Sequence, residues 1–130
     1  MKQAERTILD NLVNSYLHTA IWVADDDGNG YDFTKKDKAI AKQDCQLFID
    51  KVREEFTADE ANAIITYQGQ DVTTLAGHDF YLTRNGHGAG FFDKEVYNEL
   101  ATNGCDRLTE IASKFGSATC YEYRKKWHFD

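Results

Sequence analysis

The fold turns on one stretch, HDFYLTRNGHGAGFF, residues 78–92. Asn85-Gly86 lies between two runs rich in aromatic and aliphatic residues. In that setting an Asn-Gly pair is the strongest short-range signal for a two-residue β-hairpin, because both central residues need positive φ. The register then pairs Arg84 with His87, Leu82 with Ala89, Tyr81 with Gly90 and Phe80 with Phe91. Phe80, Leu82, Ala89 and Phe91 would face the core. Tyr81 and Phe92 would lie over Gly88 and Gly90, a known aromatic–glycine packing device in sheets. The spacing predicts a β-hairpin here.

Outward from it, the pattern is helical. Ile8, Leu9, Leu12, Val13, Tyr16, Leu17, Ala20 and Ile21 recur at three-and-four spacing, predicting a helix over 3–23. It stops at DDDGNG, residues 25–30. Thr34 with Asp37 resembles a capping box, opening a second helix to about Phe56. Thr57 with Glu60 opens a third through about Tyr67, burying Ala61, Ile64 and Ile65. A turn or short helix, DVTTLA, would end at Gly77 as a C′ glycine. Asp93 would cap a short helix through about Ala101. Leu108, Ile111, Ala112 and Phe115 mark a further helix ended by Gly116. ATCYEYR and KWHFD read as strands. The expected fold is one α+β domain over residues 1–130, with N-terminal helices packed on a small antiparallel sheet. That sheet would comprise the Asn85-Gly86 hairpin and a C-terminal strand.

Composition sets outer limits. The chain has 130 residues, 42% hydrophobic and 28% charged, enough for one core without staples. Its net charge is −7, and its pI is about 5.0. Direct nucleic-acid binding is not expected from such a balance, whereas an acidic surface suits a basic protein partner. Cys45, Cys105 and Cys120 are odd in number and widely spaced, so they read as free thiols. No stretch approaches the roughly 20 apolar residues of a membrane span, and the N-terminus lacks a signal-peptide core, so an intracellular protein without membrane contact is expected. Proline is absent, so turns must rest on Gly, Asn and Asp.

The motifs narrow the chemistry. Asp25, Asp27, Asn29 and Gly30 match the first half of an EF-hand loop, but position 12 is Lys36 where a bidentate glutamate is required. No metal site is expected; Asp25, Asp26, Asp27 and Asp32 instead form an acidic contact loop. Gly86, Gly88 and Gly90 alternate, which fits neither a dinucleotide fingerprint nor a P-loop. No serine or cysteine nucleophile motif occurs, and no cofactor is implied. His78, Asp79, Arg84, Asn85 and His87 form the candidate ligand or partner contact. Arg84 is suited to an anion or carboxylate, and His87 to carrying a proton near neutral pH; alternatively Arg84 pairs with an acidic residue of a neighbouring helix and His87 satisfies a backbone carbonyl. Trp22, Trp127 and the tyrosines read as core or interface. On strand geometry the base and tip of this cluster are about six residues, or roughly 20 Å, apart.

AGHDFYLTRNGHGAGFFD followed by GCDRLTEIASKFG resembles a family of small uncharacterised proteins of tailed bacteriophages and prophages. Their typical form reads GHDFWLTRNGHGAGFWD, then GDxLTxxA. The resemblance covers roughly residues 76–116. Tyr81 and Phe92 stand where the family has tryptophan, and Cys105 is inserted after Gly104. The family supplies a context rather than an activity. It implies an accessory protein for host takeover or counter-defence, acting in the cytoplasm of the infected bacterium. Such a protein would bind a host protein through its acidic surface, as a binder rather than an enzyme. Two alternatives stand beside it. One is a small nucleotide- or ligand-binding protein, a sponge or small enzyme using Arg84 and His87; the other is a virion component.

Overall fold

A computed structural model describes residues 3–25, 30–70 and 72–130. Among them the chain forms six α-helices, one 3-10 turn and one two-stranded sheet. The long helices follow the apolar periodicity. α1 spans Gln3–Ala24 and buries Leu9, Leu12, Tyr16 and Ala20. α2 spans Lys35–Glu55, with the Thr34 side chain accepting from the Asp37 N–H. α3 spans Ala58–Thr66 behind a full capping box: Thr57 N–H donates to Glu60 at 3.0 Å, and Glu60 N–H to the Thr57 hydroxyl at 3.2 Å.

The hairpin expectation is overturned at residues 75–84, which form a helix, α4 (Leu75–Arg84). Asn85-Gly86 ends that helix instead of joining two strands. Gly86 has φ +72°. Its N–H donates to Thr83 O at 3.2 Å, and His87 N–H donates to Leu82 O at 2.9 Å. These are the two bonds of a Schellman motif, which needs positive φ only at Gly86, where a two-residue hairpin turn needs it at both residues; Asn85 has φ −98°. The dipeptide therefore marks a left-handed residue without saying what precedes it. Seven of the ten residues of α4 are buried. A helix buried on nearly every side shows no 3.6-residue contrast, so its run of apolar residues resembles a strand.

The consequences run along the stretch. Gly77 lies inside α4, not at a helix end. A Cβ there would sit 2.4 Å from Leu12 O and 2.9 Å from the Ser15 side chain, so α1 and α4 meet backbone to backbone at this point. The first N–H of the segment, on Thr74, donates to Ser15 Oγ at 2.8 Å. Gly90 lies against Thr83, whose hydroxyl would be 2.2 Å from an added Cβ. Phe91 is buried as expected, Ala89 is exposed, and Phe92 points outward rather than covering a glycine.

A 3-10 turn, Phe91–Asp93, leads to α5 (Val96–Leu100) and α6 (Gly104–Ser113). The sheet is wholly C-terminal: β1 (Cys120–Tyr123) pairs antiparallel with β2 (Lys126–Phe129). Asp37 ties it to α2, accepting from Phe129 N–H at 3.2 Å. An aromatic ladder fills the core. Phe80 stacks on Phe48 at 4.5 Å, Phe48 on Phe91 at 5.7 Å, and Phe91 meets Tyr97 edge-on at 4.9 Å. The architecture is thus mainly helical, with the helices enclosing α4 and a small sheet at one end.

The glycine inside α4 and the one that ends it resist substitution for different reasons. Gly77→Ala should cost about 1–3 kcal/mol, because backbone atoms of α1 must move. Gly86→Ala should cost about 1 kcal/mol, since only the left-handed conformation opposes it and its surroundings are open. Urea denaturation of both variants checks the order.

Candidate functional site

α1 and α4 build the site together. His18 and Trp22 are four residues apart on α1, on its exposed flank. His78 and Leu82 have the same spacing on α4. Trp22 is 50% exposed although it is among the largest apolar side chains. Its ring lies 6.2 Å from the His78 ring. Two clefts meet at this pair. One, of about 310 Å³, is lined by His18, Thr19, Trp22, Val72 and His78. The other, of about 520 Å³, is lined by Trp22, Val23, His78, Leu82, His87, Gly88 and Ala89. A third cleft continues from His18 and Val72 past Gln68–Gln70.

His78 is held from behind. Its Nδ1 lies 2.9 Å from Asp79 Oδ1. Asp79 is fully buried and also accepts from Lys94 Nζ at 2.7 Å and from the Tyr97 hydroxyl at 2.6 Å. Lys94 supplies the counter-charge that a buried carboxylate requires. Against an ionised carboxylate, His78 Nδ1 is the donor, which leaves Nε2 as the free ring nitrogen. Lys94 Nζ also donates to Ala89 O, and Ala89 N–H to Asp93 Oδ2 at 2.7 Å. The same network therefore shapes the loop that floors the larger cleft.

The expected contact residues divide. His78 and His87 line one cleft, although strand geometry would have separated them. The Schellman cap returns the chain beside α4 instead of extending it. Asp79 is a buried support rather than a contact. Arg84 is unavailable to a ligand, being only 7% exposed. It donates to Asp44 at 2.7 Å, the Tyr16 hydroxyl at 3.1 Å, Gly116 O at 2.8 Å and Phe115 O at 3.2 Å. Asn85 is likewise occupied, donating to Tyr81 O at 2.9 Å and accepting from Ala118 N–H at 2.6 Å.

In the acidic loop, Asp25 is at the end of α1, and Asp26, Asp27 and Asn29 lie outside the described residues. Asp32 is engaged by Lys38 at 2.5 Å and by the Phe33 N–H at 2.8 Å. No group of three or more metal-ligating side chains gathers among the described residues.

Lys94 and, beyond a core or interface reading, Tyr97 are not singled out by the sequence; nor are His18 and, beyond the same reading, Trp22. For the last two a signal existed: both fall off the apolar stripe of α1, and an exposed tryptophan four residues from a histidine is an anomaly on a solvent face. Thiol chemistry finds no support. Burial raises the Cys45 thiol well above its ordinary value and pushes Cys120 up to about 11. Burial likewise raises Cys105. Neutral thiols are poor nucleophiles.

No protein-family model, curated protein or solved structure matches this chain. Among the described residues, no helix is long and apolar enough to cross a membrane.

The buried phenols give the site a pH signature. Burial first, and then the Asp79 charge, holds Tyr97 well above the ordinary tyrosine range. Burial also raises Tyr16 and Tyr81. Their protonated forms belong to the fold, so this stabilisation is complete below the unfolded value of about 10 and declines as pH rises past it. In an alkaline titration, tyrosinate absorbance from these three residues should appear together with loss of helical circular dichroism. Their ionisation in a chain that keeps its helices would contradict this burial.

Proposed function

We propose that this chain is a binding protein that engages a host protein through the Trp22 clefts. The observation that carries the reading is a half-exposed tryptophan at the meeting point of two mainly apolar clefts. Such a side chain is a typical interface anchor, and tryptophan is enriched among the residues that dominate binding energy. Charge complements it. A chain of net charge −7, with Asp25 at the end of the same helix, favours a partner segment that combines an apolar anchor with basic residues. The run Asp25–Asp27 would supply steering, and Asp32 contributes less because Lys38 already pairs with it.

The resemblance of residues 76–116 to proteins of tailed bacteriophages gives this proposal its setting: an accessory protein for host takeover or counter-defence, acting inside the infected bacterium. A small-ligand reading has one observation of its own. His78, oriented by Asp79 beside the Trp22 ring, could receive a planar ring and one of its donors. It no longer involves Arg84.

Affinity capture from the infected host with mass spectrometry should recover a protein with wild-type chain. Recovery should fall at least about tenfold with Trp22→Ala, and less with Asp25, Asp26 and Asp27 changed together to Asn. The Trp22→Ala chain should melt close to wild type. Capture indifferent to Trp22 overturns the reading. A rise in melting temperature with a nucleotide, lost in His78→Ala, would favour the small-ligand alternative.

A further inference from the structure

The C-terminal hairpin carries a second surface that shares no residue with the Trp22 clefts. Its strand pairing sets Tyr121 opposite His128 and Tyr123 opposite Lys126. These four alternate onto one side of the sheet, away from Trp127, which is buried. Tyr121 and Tyr123 are 48% and 53% exposed. Tyr121 stacks on His128 at 5.4 Å and 18°, and the Arg124 guanidinium lies 5.1 Å from the centre of the Tyr123 ring. Each exposed ring is therefore already held by a neighbour, Tyr121 by an imidazole and Tyr123 by a guanidinium.

Basic charge gathers at the same end. Trp127 N–H donates to Asp32 O at 2.9 Å, and Thr34 N–H donates to Trp127 O at 3.3 Å. These bonds bring the first turn of α2, with Lys35, Lys36 and Lys38, against the strand that begins at Lys126. With Arg124 and Lys125, six of the chain's 15 lysines and arginines lie on these two adjoining segments. The acids among them are engaged or face elsewhere. Asp32 pairs with Lys38, and Asp37 accepts from Thr34 and from Phe129 N–H. Glu122 alternates away from the tyrosines.

The turn adds an independent sign. Arg124 and Lys125 both take positive φ, +51° and +64°. A turn with two such residues is best served by Asn-Gly, so the arginine and lysine stand where folding alone would choose otherwise.

We propose that this hairpin face binds single-stranded nucleic acid, with bases stacking on Tyr121 and Tyr123 and phosphates held by Arg124, Lys125, Lys126 and, at the start of α2, Lys35 and Lys36. Stacking on exposed rings beside a cationic track is the physical basis of sequence-tolerant single-strand binding. The net charge of −7 disfavours a nucleic-acid surface for the molecule as a whole; the gathered cations confine one to this corner. Binding there falls steeply with salt.

The test is fluorescence anisotropy at low salt with labelled oligothymidylate and oligouridylate. An abasic oligomer of equal length and polyglutamate serve as charge-matched probes. Both oligonucleotides should bind, the abasic oligomer at least about tenfold more weakly, since each stacked base contributes on that order. Tyr121→Ala with Tyr123→Ala should remove the difference between base-bearing and abasic probes. Replacing the turn, Arg124→Asn with Lys125→Gly, should raise the melting temperature and weaken binding about tenfold. No binding at low salt, equal binding of the abasic oligomer or of polyglutamate, or full binding by the turn variant would each overturn the proposal.

Discussion

The structure depends on one buried guanidinium. Arg84 is the last residue of α4, and its donors reach Asp44 on α2, the Tyr16 hydroxyl on α1, and the carbonyls of Phe115 and Gly116 just beyond α6. A single planar fork thus fixes four helices relative to one another. It also serves the C-terminal end of α6, where carbonyls are left without helical partners and favour a cation. The Phe80 and Phe115 rings lie 5.6 and 5.5 Å from the guanidinium carbon and complete its enclosure. A lysine would supply the charge but not the fork.

That clamp explains why the site lies where it does. Arg84 holds the C-terminal end of α4 against α2 and α6, and Gly77 holds its N-terminal half against the backbone of α1. Between these fixed points His78 and Leu82 are presented beside Trp22. The Asp79–Lys94–Tyr97 network then sets the His78 ring and the loop after the Schellman cap. The cleft is therefore built on rigid helices, with its one irregular wall, His87–Ala89, pinned by Lys94 and Asp93.

Much of this was legible in the sequence, and the failure has a definite cause. α1, α2 and α3 have solvent-facing sides, so their period shows, and Thr57 with Glu60 announces a cap that the structure contains. The C-terminal strands are legible from their aromatic residues, Tyr121, Tyr123, Trp127 and Phe129. α4 was not, because burial on nearly all sides erases the contrast on which periodicity depends. The Asn85-Gly86 pair signals a left-handed residue, but a hairpin needs positive φ at both positions and a helix end at Gly86 alone; Asn85 has φ −98°. His78 and His87 do lie on one cleft. Arg84 reads from sequence either as a ligand contact or as the partner of an acidic residue on a neighbouring helix; Asp44 decides for the second, and the Tyr16 hydroxyl and the two carbonyls that join it are invisible in the local sequence. Trp22 reads from sequence as core or interface without a choice between them, because one sequence does not show which flank of α1 remains uncovered.

Arg84 is an internal clamp and not a ligand contact. The direct measurement is the unfolding free energy of Arg84→Met, by urea denaturation, beside that of wild type. Removing the buried guanidinium leaves the half-buried Asp44 carboxylate and two carbonyls without their donor. The expected loss is more than about 2 kcal/mol. A variant as stable as wild type would contradict the clamp.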